Sequence, residues 1–197
     1  MSQNDPAHRG PFYTPRNVSR EEAMPAGIRR VLLLPVSVGE VAPVETAKTL
    51  DRAMVVALQN EQRFEVVVFT REECSWAFGR EEFSSVDALP HGFLEKLAAT
   101  YAVDAVIFVD LTAYQAYRPQ AIGLRSKLAT VRDVRLVWSF DEIISATDPA
   151  VANSVRRQYL KNDRGTQPLD LSPAALQSPS RFAAFAAQAM FRTLPPR

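Results

Sequence analysis

"YQAYRPQAIGLRSKLATVRDVRLVWSFDEII", residues 114–144, decides the fold. It reads as two long strands joined by a tight turn, with a further strand leading in. Ile122, Leu124, Ser126, Leu128 and Thr130 fall on one side of the first strand, and Ala121, Gly123, Arg125, Lys127 and Ala129 on the other. "VRDVR" (131–135) turns the chain. On the second strand Val134, Leu136, Trp138, Phe140, Glu142 and Ile144 alternate with Arg135, Val137, Ser139, Asp141 and Ile143. Side chains on a strand alternate between faces, so strands patterned this way bury one face each. The strand leading in, "VDAVIFVDLTAYQAY" (103–117), is apolar throughout its first half and alternates in its second. Such a strand starts inside a covered sheet and runs out past the cover. The three form an antiparallel meander.

Upstream, the pattern changes. "RRVLLLPV" (29–36) is a short apolar run ended by Pro35 and suits a strand covered on both faces. In "PVETAKTLDRAMVVALQNEQ" (43–62), Val44, Ala47, Leu50, Met54 and Leu58 recur at spacings of three and four, which makes one apolar helical face. "RFEVVVFT" (63–70) reads as a second buried strand. Strand, helix and strand in this order form a βαβ unit with parallel strands. Thr70 and Glu73 fit a capping box opening "REECSWAFG", with Gly79 as the stop. "PHGFLEKLAATY" (90–101) is a helix with Phe93, Leu94, Leu97 and Tyr101 turned inward.

After the meander, Asp148-Pro149 caps a helix to about Asn162 that stops near Gly165. "QPLDLSPAALQ" (167–177) is a connector, and Ser178-Pro179 opens a closing helix over about 179–194. The prediction is an α/β domain over 29–197, core 29–162, with helices on a mixed sheet of about five strands. Residues 1–28 hold too few apolar groups to offset the entropy of ordering and are expected to form a flexible arm.

Composition excludes several function classes. Of 197 residues, 47% are apolar and 23% charged, with a formal net charge of +1, so no strong field favours nucleic acid. The single cysteine, Cys74, rules out an intrachain disulfide. No apolar run approaches the roughly 20 residues that span a bilayer. The first residues lack the apolar centre of a signal peptide. The two histidines, His8 and His91, stand in no metal-binding spacing. The seven glycines make no phosphate-cradling loop. No cofactor is expected.

The candidate catalytic groups reduce to isolated residues. The positive end of its helix favours a thiolate at Cys74, but no His stands near as a base, and a packed thiol is expected. Asp104, Asp110, Asp141 and Glu142 are the acidic candidates. Asp141 and Glu142 are adjacent on a strand and point to opposite faces, so they cannot act as one acid–base pair. The plainer reading of these acids is a solvated strand edge or a cross-strand partner of Arg125 or Lys127.

The binding candidates are of another kind. "YQAYRP" sets Tyr114 and Tyr117 beside Arg118 where a strand leaves the core, and Tyr and Arg carry interface hot spots. Packing of these tyrosines over the sheet is the plainer alternative. Trp76 and Phe78 are two apart and cannot share one helical stripe, so one of them is available as an exposed anchor; core packing of both is the plainer reading.

Taken in order, "RRVLLLPV", the amphipathic helix, "FEVVVFT" and "YAVDAVIFVDLTAYQAYRPQAIGLRSKLATVRDVRLVWSFDEIISATDP" resemble the soluble domain of the curli-secretion (CsgG-like) lipoproteins. They are similar also to the LpoB penicillin-binding-protein activators and to the TolB amino-terminal domain. The shared pattern is the entry Val103-Asp104-Ala105-Val106, a long strand, a polar return, and a strand ending in hydrophobic-Trp-Ser. The resemblance spans about 29–160.

It implies a non-enzymatic periplasmic protein, associated with the outer membrane, that binds other envelope proteins or copies of itself. Tyr114, Tyr117, Arg118, Arg125 and Trp76 are then the candidate contacts. The resemblance also implies contact with the membrane only through a lipid anchor removed before residue 1. The alternative is a soluble small-ligand or nucleotide-binding α/β domain.

Two features depart from the family. Its turn before the Trp strand usually carries a Gly where this chain has Asp133-Val134; a β-branched residue does not easily take positive φ, so a different turn type is expected. The curli channel's membrane-spanning hairpins have no counterpart here, so this chain alone is not expected to form a pore.

Overall fold

The computed structural model describes residues 10–162 and 178–197. The elements run β1 (Val18–Arg20), β2 (Arg30–Leu33), α1 (Val44–Asn60), β3 (Glu65–Val68), α2 (Arg71–Phe78) and α3 (Phe93–Tyr101). They continue with β4 (Ala105–Gln115), β5 (Ala121–Thr130), β6 (Leu136–Ser145), α4 (Pro149–Asn162) and α5 (Pro179–Phe191). His8, the Gly165 stop and the 167–177 connector lie outside the described residues.

All strands join one six-stranded mixed sheet in the order β1-β6-β5-β4-β2-β3. β2 runs parallel to β3 and β4, as the βαβ reading requires. β4, β5 and β6 form the antiparallel meander. β4 pairs with β2 only over Ala105–Ile107, with one further bridge from Asp110 to Ser37 beyond the end of β2, but with β5 along its whole length. The meander therefore overhangs the parallel half.

The two faces are covered unequally. On one, α1, α4 and α5 pack Leu50, Met54, Val151, Val155, Phe185 and Phe191 against Ile107, Leu124, Trp138 and Phe140. On the other, α2 and α3 pack Cys74, Phe93 and Leu97 against Leu32, Val106 and Phe108, and this second core contains no residue of β5 or β6. A strand covered on both faces reads as a continuous apolar run and one covered on a single face alternates. That is why β4 changes pattern part-way along.

Three expectations are corrected. The sheet has six strands, not five, because residues 10–28 are not a flexible arm throughout. β1 pairs antiparallel with β6, and Met24 and Ile28 are buried. β3 is not a strand buried on both faces. It is the sheet edge, with Val66 and Val67 half-buried and Val68 exposed. The third correction concerns the 131–135 turn, where Val134 adopts φ +49°. Three bonds hold it there: the Thr130 hydroxyl donates to Asp133, Arg135 N–H donates to that hydroxyl at 2.9 Å, and Thr130 N–H donates to the Arg135 carbonyl at 3.0 Å. A Cβ in this region costs roughly 1–2 kcal/mol, and the turn tolerates it.

Local signals hold elsewhere. Thr70 and Glu73 form the reciprocal capping box, and Gly79 ends α2 at φ +73°. The Asp148 carboxylate accepts from Ala150 N–H at 2.8 Å and caps α4. The closing helix ends at Phe191, short of the expected Leu194.

One buried cation joins the layers. Arg71, at the start of α2, is 8% exposed. Its guanidinium donates to Asp51 of α1 at 2.7 Å, to Glu82 at 2.7 Å and to the Val36 carbonyl at 2.6 Å. Asp51 also accepts from Val36 N–H at 2.8 Å, and Glu82 accepts from Val38 and Gly39 N–H, each at 2.9 Å. Burial lowers the guanidinium's affinity for its proton, but the hydrogen bonds and charges of Asp51 and Glu82 outweigh it and the net shift is upward. Removing one member of such a cluster leaves uncompensated charge.

Arg71→Ala is expected to cost about 3 kcal/mol and lower the melting temperature by roughly 6–12 °C in calorimetry; an unchanged Tm would show that the cluster is not structural. Val134→Gly removes the Cβ penalty at an exposed turn and is expected to raise Tm by roughly 2–4 °C. A loss of stability would mean that the Val134 side chain contributes packing.

Candidate partner-binding surfaces

The five sequence candidates do not form one patch. Tyr117 and Arg118 stand at the tip of the β4–β5 hairpin, with Tyr117 87% exposed. Tyr114 is on the helix-covered face, half-buried against the first core, where it lines a cavity of about 320 Å³ with Leu50 and Ala183. Arg125 is on the opposite face, and its Nε donates to Asp141 on β6 at 2.8 Å. Trp76 lies apart, on the outer side of α2, and is 86% exposed. Phe78 turns the other way and packs on Phe93 and Phe83 at ring separations of 4.6 and 5.7 Å. The two-residue spacing thus separates an exposed ring from a packed one.

The overhanging part of β5 and β6 presents a face that no helix among the described residues covers. Gly123, Arg125, Lys127 and Ala129 lie on it, opposite Ile143, Asp141, Ser139 and Leu136. The Arg125–Asp141 pair sits in the middle. Ile143 at one end is 66% exposed, and Leu136 at the other is also exposed. Part of the border is occupied: Lys127 Nζ donates to the Ser85 carbonyl at 2.9 Å, and Asp110 accepts from Ser85 N–H at 2.9 Å. Gly123 is required here. A Cβ at this position would overlap Thr112 Oγ1 and the Ala113 nitrogen, where β4 shifts register.

The remaining acidic candidates have structural partners. Asp104 accepts from Arg29 and Arg30 N–H at 2.9 and 3.0 Å and holds the start of β2. Glu142 accepts from the Tyr13 hydroxyl and from Arg16 and Asn17 N–H, tying residues 13–17 to β6. Burial and the Glu142 carboxylate push the Tyr13 hydroxyl pKa upward. His91 is exposed on the loop before α3. No group of three or more His, Cys, Asp or Glu side chains is placed to hold a metal among the described residues. No helix among them is long and apolar enough to cross a membrane.

A second feature was missed by the sequence analysis. The 10–20 segment, α4 and α5 enclose a groove of about 730 Å³. Arg16, Arg20, Arg157 and Arg192 line it, together with Phe12 and Phe185. Two of these arginines and one aromatic come from the stretch expected to be a loose arm. The only signal there was Val18 alternating with polar neighbours, too short a run to reveal a strand.

No family model matches this chain, and no curated protein matches it. Solved structures similar to it include lipoprotein GNA1162 from Neisseria meningitidis, at 19% identity and TM-score 0.48, covering 68% of this chain and 96% of that one. The PelC dodecamer from Paraburkholderia phytofirmans follows at 11% identity and TM-score 0.44, covering 85% and 95%. The LpoB C-terminal domain from Escherichia coli gives 21% identity and TM-score 0.39, covering 60% and 83%. The LpoB part of the resemblance therefore has a counterpart among solved structures; its curli-secretion and TolB parts rest on the sequence pattern. Identities and scores this low assign no family.

Cys74 is fully buried in the second core, and desolvation pushes its thiol up to about 11 despite the nearby Arg71 and Arg80 charges. The thiolate is the reactive form. In native protein at pH 8, iodoacetamide is expected to leave Cys74 unlabelled by mass spectrometry, with full labelling after unfolding. Labelling of the folded protein at the rate of a free thiol would contradict this burial.

Proposed function

We propose that this chain is a non-enzymatic accessory domain of the bacterial envelope, held at the periplasmic side of the outer membrane, that binds other envelope proteins or copies of itself. The observation that carries this reading is the uncovered face of the β5–β6 overhang, bordered by the hairpin tip. An interface combines apolar or aromatic anchors, which it desolvates, with polar groups that are already paired; here the anchors stand at the two ends of the face and the ion pair between them. Ile143, Leu136 and the hairpin-tip Tyr117 supply such anchors, and Arg125–Asp141 and Lys127 supply polar groups. A rigid sheet holds them in place, which reduces the ordering cost of binding. The sequence resemblance to envelope lipoprotein domains supports the compartment. Trp76, on α2, is a separate anchor on this reading, and Tyr114 supports the hairpin from within.

The test is photo-crosslinking in cells of the native source, with a photoreactive residue at Tyr117, at Ile143 and, as control, at exposed Lys48 of α1 in the full-length protein. Capture of one defined envelope protein, or of a second copy, from positions 117 and 143 but not from 48 is the expected result. Equal capture from all three positions, or none from any, would overturn the reading.

A further inference from the structure

We propose that the arginine-lined groove between residues 12–20, α4 and α5 binds the phosphate group of a small anionic ligand. The argument begins with where the charges lie. Outside the groove, several arginines are paired with carboxylates: Arg30 with Glu65, Arg63 with Glu61, Arg71 with Asp51 and Glu82, Arg80 with Asp87, Arg125 with Asp141, and Arg135 with Glu21. In the groove, four arginines line one cavity of about 730 Å³ and no Asp or Glu lines it. Glu142, at its border, is taken up by the Tyr13 hydroxyl and the Arg16 and Asn17 N–H groups. In a chain of net charge +1, four positive side chains are thus gathered around one cavity.

Two of the four are held in position without being neutralised. Arg157 lies over the Phe12 ring at 4.3 Å, and Arg20 donates to the Thr193 and Leu194 carbonyls at 3.0 and 3.3 Å. Arg16 and Arg192 have no carboxylate partner among the described residues and are exposed to the cavity's solvent. A guanidinium fork binds oxyanions through two parallel hydrogen bonds.

Four such groups exceed what one carboxylate needs, whereas a phosphomonoester carries close to two negative charges near neutral pH. The volume falls in the range of small-molecule sites, roughly 300–1,000 Å³. Phe185, Val18 and Ala189 provide an apolar wall for the rest of the ligand. The groove lies on the helix-covered side of the sheet, away from the uncovered β5–β6 face, so this inference stands or falls independently of the proposed partner surface.

The experiment is calorimetric titration of the full chain with inorganic pyrophosphate, comparing wild type, Arg16→Gln/Arg192→Gln, and the charge-matched control Arg52→Gln/Arg132→Gln at two exposed positions outside the groove. Wild type and control are expected to bind alike, and the groove variant about tenfold or more weaker. No binding by wild type, or equal weakening in the control, would overturn the proposal. Flotation with phosphatidylglycerol vesicles, against phosphatidylcholine vesicles, separates two sources of the phosphate. Flotation that pyrophosphate reverses assigns it to a lipid headgroup. Pyrophosphate binding without flotation assigns it to a diffusible phosphoryl compound. Either supports the site.

Discussion

The structure depends on a mismatch of strand lengths. β2 and β3 have four residues each, and β4, β5 and β6 have ten or eleven. Short parallel strands need helices on both faces, and α1 crosses over on one while α2 and α3 cover the other. The meander continues beyond that cover. On one face α4 and α5 extend the first core beneath it. On the other no described helix does, and apart from the Ser85 contact at its border the β5–β6 face is open among the described residues.

Such an asymmetric layout has to be held in register where the parallel half ends, and the Arg71 cluster is placed for that. It draws α1, α2, the β2 exit and the Glu82 loop onto one guanidinium. Satisfied charge of this kind is sensitive to removal, and its bonds fix directions that apolar packing leaves free. Asp104 does the same at the start of β2 with two backbone amides. The two clusters hold the ends of β2, between the two cores.

Much of this was legible in the sequence because periodicity records cover. The alternation in 121–130 and 138–144, the change of pattern within 103–117 and the Thr70–Glu73 box correspond to what the chain does; Leu136, expected on the face of Trp138, is exposed on the other one, and Val137 is buried, because the register shifts between Leu128 and Ala129. Less was legible where tertiary contacts decide. β1 is three residues long and gains its order from β6, with Glu142 fixing the segment before it, so composition alone described a loose arm. Val134 takes a conformation its side chain disfavours because Thr130 and Arg135 hold the turn closed. The 63–70 run is as apolar as a central strand but lies at the edge, since sheet order is set by the crossover and not by local pattern. Of the site candidates, Trp76 and Tyr117 are exposed, while Tyr114 and Arg125 lie on opposite faces of the sheet. That separation follows from the register shift between Leu111 and Ala113, which no strand pattern announces.

The central claim is that the uncovered β5–β6 face exists for binding and not for folding. The most direct measurement is a paired one on Ile143→Glu: thermal stability of the purified chain, and co-purification of its assembled form from the native envelope by native mass spectrometry. The account predicts a melting temperature within about 2 °C of wild type, because the side chain is largely exposed in the isolated domain, together with loss of the assembly. A large fall in stability, or an assembly that survives intact, would contradict it.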